Sequence, residues 1–359
     1  MLLAAGASQV ANDHRPSVLR PGLRMYAYVA NAGDGTVTAV DVVNLSPAAK
    51  IPVGPSPSGV RAHPVHNEIW GVSSEGGYVW VLDAPKGLVT SRIPVGSAPF
   101  AVDFSPDGKR AYVAASGSGS VVAIDCATRK IVARARVGRR PWLARATPDG
   151  RLVVVTNRDD ATVSLLDAAT LSQVATVEVA SQPEQIVVLP DSSKAFVSAA
   201  GSSQVSVVDL RQHALLANLP LAGHPTDLIL KLDGGELYVP SPESHGLAIL
   251  NTWTNEVAEH VVLGYAPSQG VLTTDAKLLY ISDPTAGRVT PIEIATRQLL
   301  RPISVGQQPG VSRLSPGDDL LLVVNEGSND LAVIRTRTQS LLTLIPVGQR
   351  PRDLAVKVF

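Results

Sequence analysis

The sequence has one cysteine, no excess charge of either sign and no long apolar run. Because Cys126 is the one cysteine in 359 residues, an intrachain disulfide framework and a zinc site made of cysteines alone are excluded. Lysine plus arginine and aspartate plus glutamate number 31 each, which argues against a strongly basic surface for nucleic acid and a strongly acidic one for basic partners. A membrane-spanning helix needs about 18 apolar residues in succession, and the sequence has no such run.

A five-residue marker, apolar-Gly-x-x-Pro, recurs along the chain at a fixed interval. Glycine stands three residues before six of its prolines, and Ala180 and Ala222 replace it in the other two. Eight markers in one register indicate an internal repeat. The marker prolines follow one another every 42 residues: Pro57, Pro99, Pro141, Pro183, Pro225, Pro267, Pro309 and Pro351.

Each 42-residue unit predicts four short strands, A to D, rich in valine, isoleucine, leucine and threonine. In the second unit a turn, Ser105-Pro106-Asp107-Gly108, follows strand A, and proline and Asp-Gly are the residues that such turns favour. Strand B at residues 112–115 and strand C at residues 120–125 come next. No segment has a sustained helical period. Four strands in about 40–45 residues are typical of a β-propeller blade.

The repeat therefore predicts an all-β fold, a β-propeller of eight four-stranded blades. The final strand A, residues 352–359, has no strands B to D after it, whereas residues 25–53 supply strands B to D with no marked strand A before them. We predict that these two ends pair and close the ring without an open sheet edge. A seven-bladed ring is the alternative, and residues 17–20 are a rival first strand.

Four features resemble the YVTN-family β-propeller repeat: Tyr28-Val29-Ala30-Asn31, the Ser-Pro-Asp-Gly turn, the Thr-Val-x-x-x-Asp strand and the Pro-Val-Gly-x-x-Pro link. The resemblance covers residues 25–359 and implies a bacterial or archaeal protein that is secreted or lies at the cell surface. It says almost nothing about the ligand, because propellers host many unrelated activities. Members are often seven-bladed; an eight-bladed ring is similar instead to the haem d1-binding propeller of cytochrome cd1 nitrite reductases and their maturation relatives.

The residues before the repeat fit export. Ala5-Gly6-Ala7, after Met1-Leu2-Leu3, resembles the small-residue cleavage site of a signal peptide. We therefore expect a periplasmic or extracellular protein. In this reading residues 1–24 are a signal-peptide remnant or a disordered segment, and residues 25–359 are one propeller domain.

The residues that flank the marker proline break the repeat, which is typical of function rather than packing. Strand A begins where strand B ends, so the D–A links and the B–C loops are expected to share one face, here called the top face. We predict a ligand site where the axial channel opens on this face. Its candidate residues at the mouth are Arg140, Trp142, Glu184, His224, Tyr265, Arg350 and Arg352.

A second layer of candidates lies deeper on strand A, four residues after the proline, and consists of Arg61, Arg145 and Arg313 beside Asp103. Arginine forks suit carboxylates or phosphates, and Trp142 supplies a plate for stacking. The hypothesis is an anionic, partly aromatic ligand or a loop of a partner protein. The alternative is that these are solvated loops whose long side chains fill the funnel.

Other chemical motifs are weak or absent. The B–C loops at residues 31–35, 157–160 and 325–329 carry oxygen ligands of the kind that Ca²⁺ takes, but Asx turns explain them equally well. His63 and His66 could hold a stray metal, and His224 and His245 are candidates for a haem ligand or a proton-transfer group. The sequence has no nucleophile elbow, Walker loop, dinucleotide fingerprint, His-Glu-x-x-His or Cys-x-x-Cys-His motif.

Three functional hypotheses follow. The leading one is an exported, noncatalytic and monomeric scaffold that binds a small anionic ligand or a protein partner at the top-face mouth, its cofactor being unknown. The second, implied by the resemblance, is a cofactor-binding oxidoreductase or cofactor-maturation protein of the haem d1-propeller type. The third is a metal-dependent propeller of the lactonase or lyase kind, although those relatives are typically seven-bladed.

Overall fold

A computed structural model describes residues 24–359, in which thirty-two strands and one short 3-10 helix form the fold. The segment predicted to precede the propeller, and the rival strand at residues 17–20, lie outside the described residues except for Arg24. The strands are β1 Met25–Asn31, β2 Thr36–Asp41, β3 Ser46–Pro52, β4 Pro57–Ala62, β5 Glu68–Ser73, β6 Tyr78–Asp83, β7 Leu88–Pro94, β8 Pro99–Phe104, β9 Arg110–Ala115, β10 Ser120–Asp125, β11 Lys130–Arg136, β12 Pro141–Ala146, β13 Leu152–Asn157, β14 Thr162–Asp167, β15 Gln173–Glu178, β16 Pro183–Val188, β17 Lys194–Ala199, β18 Gln204–Asp209, β19 Ala214–Pro220, β20 Ile229–Leu230, β21 Glu236–Ser241, β22 Gly246–Asn251, β23 Glu256–Val262, β24 Gly270–Leu272, β25 Leu278–Asp283, β26 Arg288–Glu293, β27 Ile303–Ser304, β28 Pro309–Leu314, β29 Leu320–Asn325, β30 Asp330–Arg335, β31 Ser340–Pro346 and β32 Pro351–Val358. The 3-10 helix spans Ser116–Ser118.

The strands form eight antiparallel four-stranded sheets, so the prediction of an eight-bladed propeller is confirmed. Blades 1 to 7 each take four consecutive strands, from β4–β7 for blade 1 to β28–β31 for blade 7. Blade 8 is composite, with the order β3-β2-β1-β32. No helix among residues 24–359 is long and apolar enough to span a membrane.

The seam of blade 8 joins the two ends of the described chain, as predicted. Strand β32 pairs with β1 over its whole length, from Met25 opposite Val358 to Asn31 opposite Pro351. Beyond the last pair, Arg24 and Phe359 exchange two backbone hydrogen bonds, and the ring of Phe359 stacks on Tyr26 with centroids 5.5 Å apart. The first strand of the described chain is therefore covered rather than left as an open edge.

Strands B and C read as continuous apolar runs because both of their faces are buried. In β1, Ala27 and Val29 pack against blade 7, whereas the alternate residues Tyr28 and Ala30 pack against blade 1. A strand that points successive side chains to two neighbouring blades needs apolar residues at every position. The ring is thus held by contacts on both sides of each blade.

The marker builds the tight link from one blade to the next. In six of the eight links the residue before the proline is in the left-handed region, with φ between 47° and 52°. At Gly348 an added Cβ would lie 2.5 Å from Cγ of Asn31, so the close approach of link and strand B requires glycine. His224 and Ala266 are the two residues that precede a marker proline without this conformation. Their blades have short inner strands, β20 with 2 residues and β24 with 3.

Removal of residues 352–359 tests the closure. The truncation exposes the edge of β1 and removes buried Leu354, whose loss alone costs about 2–5 kcal/mol by the usual scale of core truncations. We expect a large fall in thermal stability and self-association through the freed edge, measured by calorimetry and light scattering. The matched point variant Leu354→Ala should lose part of the stability without association. A truncated protein that melts like the parent would contradict the closure.

The A–B turn of blade 1 on the opposite, bottom face contains a buried histidine where four other blades carry serine or threonine. Nε2 of His63 lies 2.9 Å from the carbonyl oxygen of Gly108, and Nδ1 accepts the N–H groups of Val65 and His66. In blade 2 the hydroxyl of Ser105 fills the same position and accepts the N–H of Arg110. Because both ring nitrogens are engaged within the protein, His63 is a turn residue, and neither nitrogen is free for a metal.

This histidine should make stability depend on pH. Burial lowers the pKa of His63, against the opposing bond to Gly108, so the unfolded chain binds a proton that the folded protein rejects. Its contribution is complete above about pH 6.5, the unfolded value, and is lost as the pH falls below it. The substitution His63→Thr should flatten the difference in unfolding free energy between pH 7 and pH 5.5, measured with urea. The exposed His260→Gln control should leave the difference unchanged; an unchanged slope in His63→Thr would show that His63 does not carry it.

Candidate functional site: the axial cavity

The innermost strands enclose a cavity of about 1110 Å³ on the propeller axis. All eight blades contribute to its wall through the first residues of strand A. D–A links such as that of Arg140 and B–C loops such as that of Glu326 also line it, so the cavity reaches the top face. The backbone joins these two kinds of loop there, as where Ala32 N–H donates to the carbonyl of Arg350. The predicted sharing of one face by links and loops is confirmed.

Backbone N–H groups are one source of the polarity of this wall. An innermost strand is a sheet edge, and its inward N–H groups lack a strand partner. Three carboxylates accept such groups from the next blade along the ring. Asp353 accepts the N–H of Val60 at 3.0 Å, Asp227 that of Gly270 at 3.2 Å and Asp103 that of Ala146 at 3.2 Å. Acidic side chains near the axis thus link neighbouring blades.

Six of the ten predicted ligand-binding residues line the cavity. They are Arg61, Arg140, Trp142, Arg145, Arg313 and Arg352. Three of these arginines lie deep on strand A, and Arg140 and Arg352 lie at the mouth. The cavity therefore brings the two predicted layers together.

The other four predicted residues are at the rim or in the core and do not line the cavity. Glu184 forms an ion pair with Arg158 at 3.0 Å, and His224 turns to Glu243, whose oxygens lie 2.7 Å from Nδ1. Tyr265 is buried between blades 5 and 6 with the Arg288 guanidinium over its ring, and Arg350 is exposed beside Glu326. Glu184, His224 and Arg350 thus each pair with a residue of a B–C loop.

The aromatic part of the wall is a stacked pair. The rings of Phe100 and Trp142 are 4.0 Å apart between centroids with an interplanar angle of 26°. The guanidinium of Arg158 lies 5.2 Å from the Trp142 ring, and its ion pair with Glu184 fixes it there. Burial raises the pKa of Glu184, against the opposing charges of Arg158 and Arg140. The aromatic plate is therefore held in place by its neighbours.

The two mouth arginines have weak acidic partners. Arg352 lies 3.3 Å from Glu326 and Arg140 lies 3.7 Å from Asp159, and all four side chains are more than a third exposed. Ion pairs of this kind contribute about 0–1 kcal/mol, so an incoming anion can replace the carboxylate at little cost.

The deeper arginines are paired more closely with the wall. Asp353 serves two of them, Arg61 at 3.3 Å and Arg313 at 3.6 Å, while Arg145 lies 3.5 Å from Asp103. Because the Asp353 side chain is only 13% exposed, removing it from water costs more free energy than for the exposed carboxylates at the mouth. Three cations thus share two ion-paired carboxylates at this depth.

Sequence reasoning missed two acidic residues of the wall, Asp227 and Asp353. Both stand two residues after a marker proline, whereas the prediction followed the positions one and four residues after it. Reading the repeat at every position would have found them.

The other candidate chemistries have structural explanations. Among residues 24–359 there is no group of three potential metal ligands from histidine, cysteine, aspartate and glutamate. Asn31 of the first oxygen-rich loop is buried and donates to Thr36 and Thr38 on the next strand. Cys126 is buried in the core of blades 1 and 2, where burial raises the pKa of its thiol to about 12. A neutral thiol there acts as a small apolar filler.

Comparison with known proteins places the fold near haem d1 propellers. The family model described as the cytochrome D1 heme domain matches residues 67–217, less than half of the chain. The dihydro-heme d1 dehydrogenase NirN, solved in complex with DHE, has a TM-score of 0.79 at 17% identity, covering 92% of this chain and 74% of its own. No curated protein sequence matches this chain.

Two further solved structures share the propeller. Apo AztD from Citrobacter koseri has a TM-score of 0.72 at 12% identity, covering 94% of this chain and 98% of its own. The Kuenenia stuttgartiensis hydrazine synthase has a TM-score of 0.63 at 21% identity, covering 78% and 95%. At these identities the likeness concerns the fold, and the expected similarity to eight-bladed haem d1-type propellers holds at that level.

Substitution of Asp353, the carboxylate that two arginines share, tests whether these ion pairs stabilise the protein. The substitution Asp353→Asn removes the negative charge that Arg61 and Arg313 share and replaces one of the two acceptor oxygens with an amide NH2 group. We expect the free energy of unfolding to fall by about 2 kcal/mol, less than the about 3–5 of a fully buried pair because the arginines are partly exposed. Urea unfolding measures it. Glu326→Gln at the rim is the control and should change little; equal effects of the two would contradict the pairing.

Proposed function

We propose that the protein binds a planar, anion-bearing ligand that enters the axial cavity from the top face. The observation that carries the proposal is the convergence of five arginines and a stacked aromatic pair on one cavity of about 1110 Å³. Arginine binds carboxylates through two parallel hydrogen bonds, and an aromatic plate favours a flat ligand. The arginines of the weak ion pairs at the mouth make the first contacts with the entering ligand, and the deeper arginines make the last contacts.

A haem d1-type tetrapyrrole is the ligand class that the comparisons favour. The matched family model and the NirN neighbour both point to it. The wall suits the macrocycle: guanidinium groups for peripheral carboxylates, and Phe100 with Trp142 for its face. An iron-bearing tetrapyrrole would supply redox chemistry when bound.

The wall does not suit the iron. Among the described residues that line the cavity there is no histidine, cysteine, methionine or tyrosine, the side chains that ligate haem iron. His224, one of the two predicted haem-ligand candidates, is hydrogen-bonded to Glu243 at the rim. We therefore assign these residues the binding and orientation of the ligand and derive no redox step from them.

The leading sequence hypothesis, an exported scaffold without catalysis of its own, remains compatible with this proposal, and a protein partner is the second candidate occupant of the same mouth. Periplasmic or extracellular location and a monomeric state stay predictions. The metal-dependent hydrolase receives no support from the described residues, which hold no three-ligand cluster.

Binding of coproporphyrin III, a metal-free tetracarboxylate, tests the proposal. The triple variant Arg140→Gln, Trp142→Ser, Arg352→Gly carries residues that other blades use at the same positions, namely Gln308, Ser268 and Gly310. We expect at least a 100-fold loss of affinity, because each charge-assisted hydrogen bond contributes about 1.5–3 kcal/mol. Absorbance titration measures it.

The control is Arg139→Gln. Arg139 adjoins Arg140 in sequence but pairs with Asp160 on the exposed surface and does not line the cavity. Its affinity should equal that of the parent. A parent that binds neither coproporphyrin III nor its iron complex would end the tetrapyrrole proposal and leave the protein partner as the candidate.

A further inference from the structure

Asp227 is the carboxylate of the cavity wall that has no arginine or lysine of its own. It lies in blade 5, two blades from Arg145 on one side and two blades from Arg313 on the other. Its oxygens accept the N–H groups of Leu228 at 2.9 Å and Gly270 at 3.2 Å. Among the described residues no basic nitrogen lies within 4.0 Å of it, in contrast to Asp103 and Asp353.

The net charge of the residues at this depth of the cavity depends on whether Asp227 is protonated. We define the inner charge ring as the six charged residues that stand two or four residues after a marker proline, in blades 1, 2, 3, 5, 7 and 8: Arg61, Asp103, Arg145, Asp227, Arg313 and Asp353. Blades 4 and 6 contribute the neutral residues Gln185 and Gln269. With Asp227 ionised, the ring has no net charge; with Asp227 protonated, it carries one positive charge.

The surroundings of Asp227 favour the protonated form. The inner strands enclose its carboxyl group at the depth of the ring, and this burial raises the pKa of Asp227, against the N–H groups of Gly270 and Leu228 and the charges of Arg313 and Arg145. An anion bound between Arg145 and Arg313 adds a second negative charge facing it. The neutral acid avoids that repulsion and can donate a hydrogen bond to the anion.

We infer that the cavity takes up an anion and a proton together, the proton going from solvent to a carboxylate oxygen of Asp227. No other bond forms or breaks. The inference rests on the proposed function in that the anion enters the same cavity, and it adds that affinity falls as the pH rises. Asp227 is then the residue that makes ligand uptake and release respond to proton supply.

Calorimetry with benzene-1,3,5-tricarboxylate, a flat trianion that is ionised above about pH 6, tests the coupling. Titrations of the parent in buffers with different ionisation heats count the protons taken up per anion, and they are repeated from pH 6 to pH 9.5. We expect up to one proton per anion in one pH window, where the affinity falls up to tenfold per pH unit. This measurement needs no variant.

Two variants locate the proton. Asp227→Asn should abolish proton uptake and make binding independent of pH. Asp103→Asn, which alters a carboxylate of the inner charge ring with an arginine beside it, should keep proton uptake whatever its affinity. Binding without proton uptake at any pH, or uptake that survives in Asp227→Asn, overturns this inference alone. No binding of the trianion at any pH overturns it together with the proposed anion site.

Discussion

The pairing of β32 with β1 is the constraint on which the rest of the structure depends. Each blade buries two faces against its neighbours, so a ring that opens at one seam would expose apolar residues on both sides of the gap. Closure also fixes how far apart the innermost strands stand around the axis. This spacing of the innermost strands forms the cavity and places Arg145, Arg313 and Asp227 around its wall.

The same backbone requirement makes the cavity charged. Inner strands present edge N–H groups to the axis, and carboxylates two or four residues after the marker proline accept them from the next blade. Two of these carboxylates are paired with arginines, Asp353 with two and Asp103 with one. The arginines that suit an anionic ligand are therefore also part of the wall's own stabilisation, and binding there exchanges one anion for another.

The fold could be predicted from the sequence because the marker and the strand pattern recur eight times. The site could not be predicted in the same way, because its residues are those that differ between the repeats. The 42-residue interval was enough for the blade number and for the seam. The interval predicted that His224 and Glu184 flank marker prolines on the top face. Their side chains point to Glu243 and Arg158, which the interval does not reveal. Asp227 looked ordinary in sequence, because what distinguishes it from Asp103 and Asp353 is that no arginine lies beside it among the described residues.

The irregular blades 5 and 6 connect these observations. The residues before Pro225 and Pro267 do not adopt the left-handed conformation of the other links, and strands β20 and β24 are short. Asp227 lies in blade 5 and accepts Gly270 N–H of blade 6, as Asp353 and Asp103 accept N–H groups between blades with full inner strands. Asp227 differs from those two carboxylates because, among the described residues, it has no arginine or lysine within ion-pair distance. Eight equivalent blades would give every carboxylate of the inner charge ring the same surroundings, so none could be set apart from the others in this way.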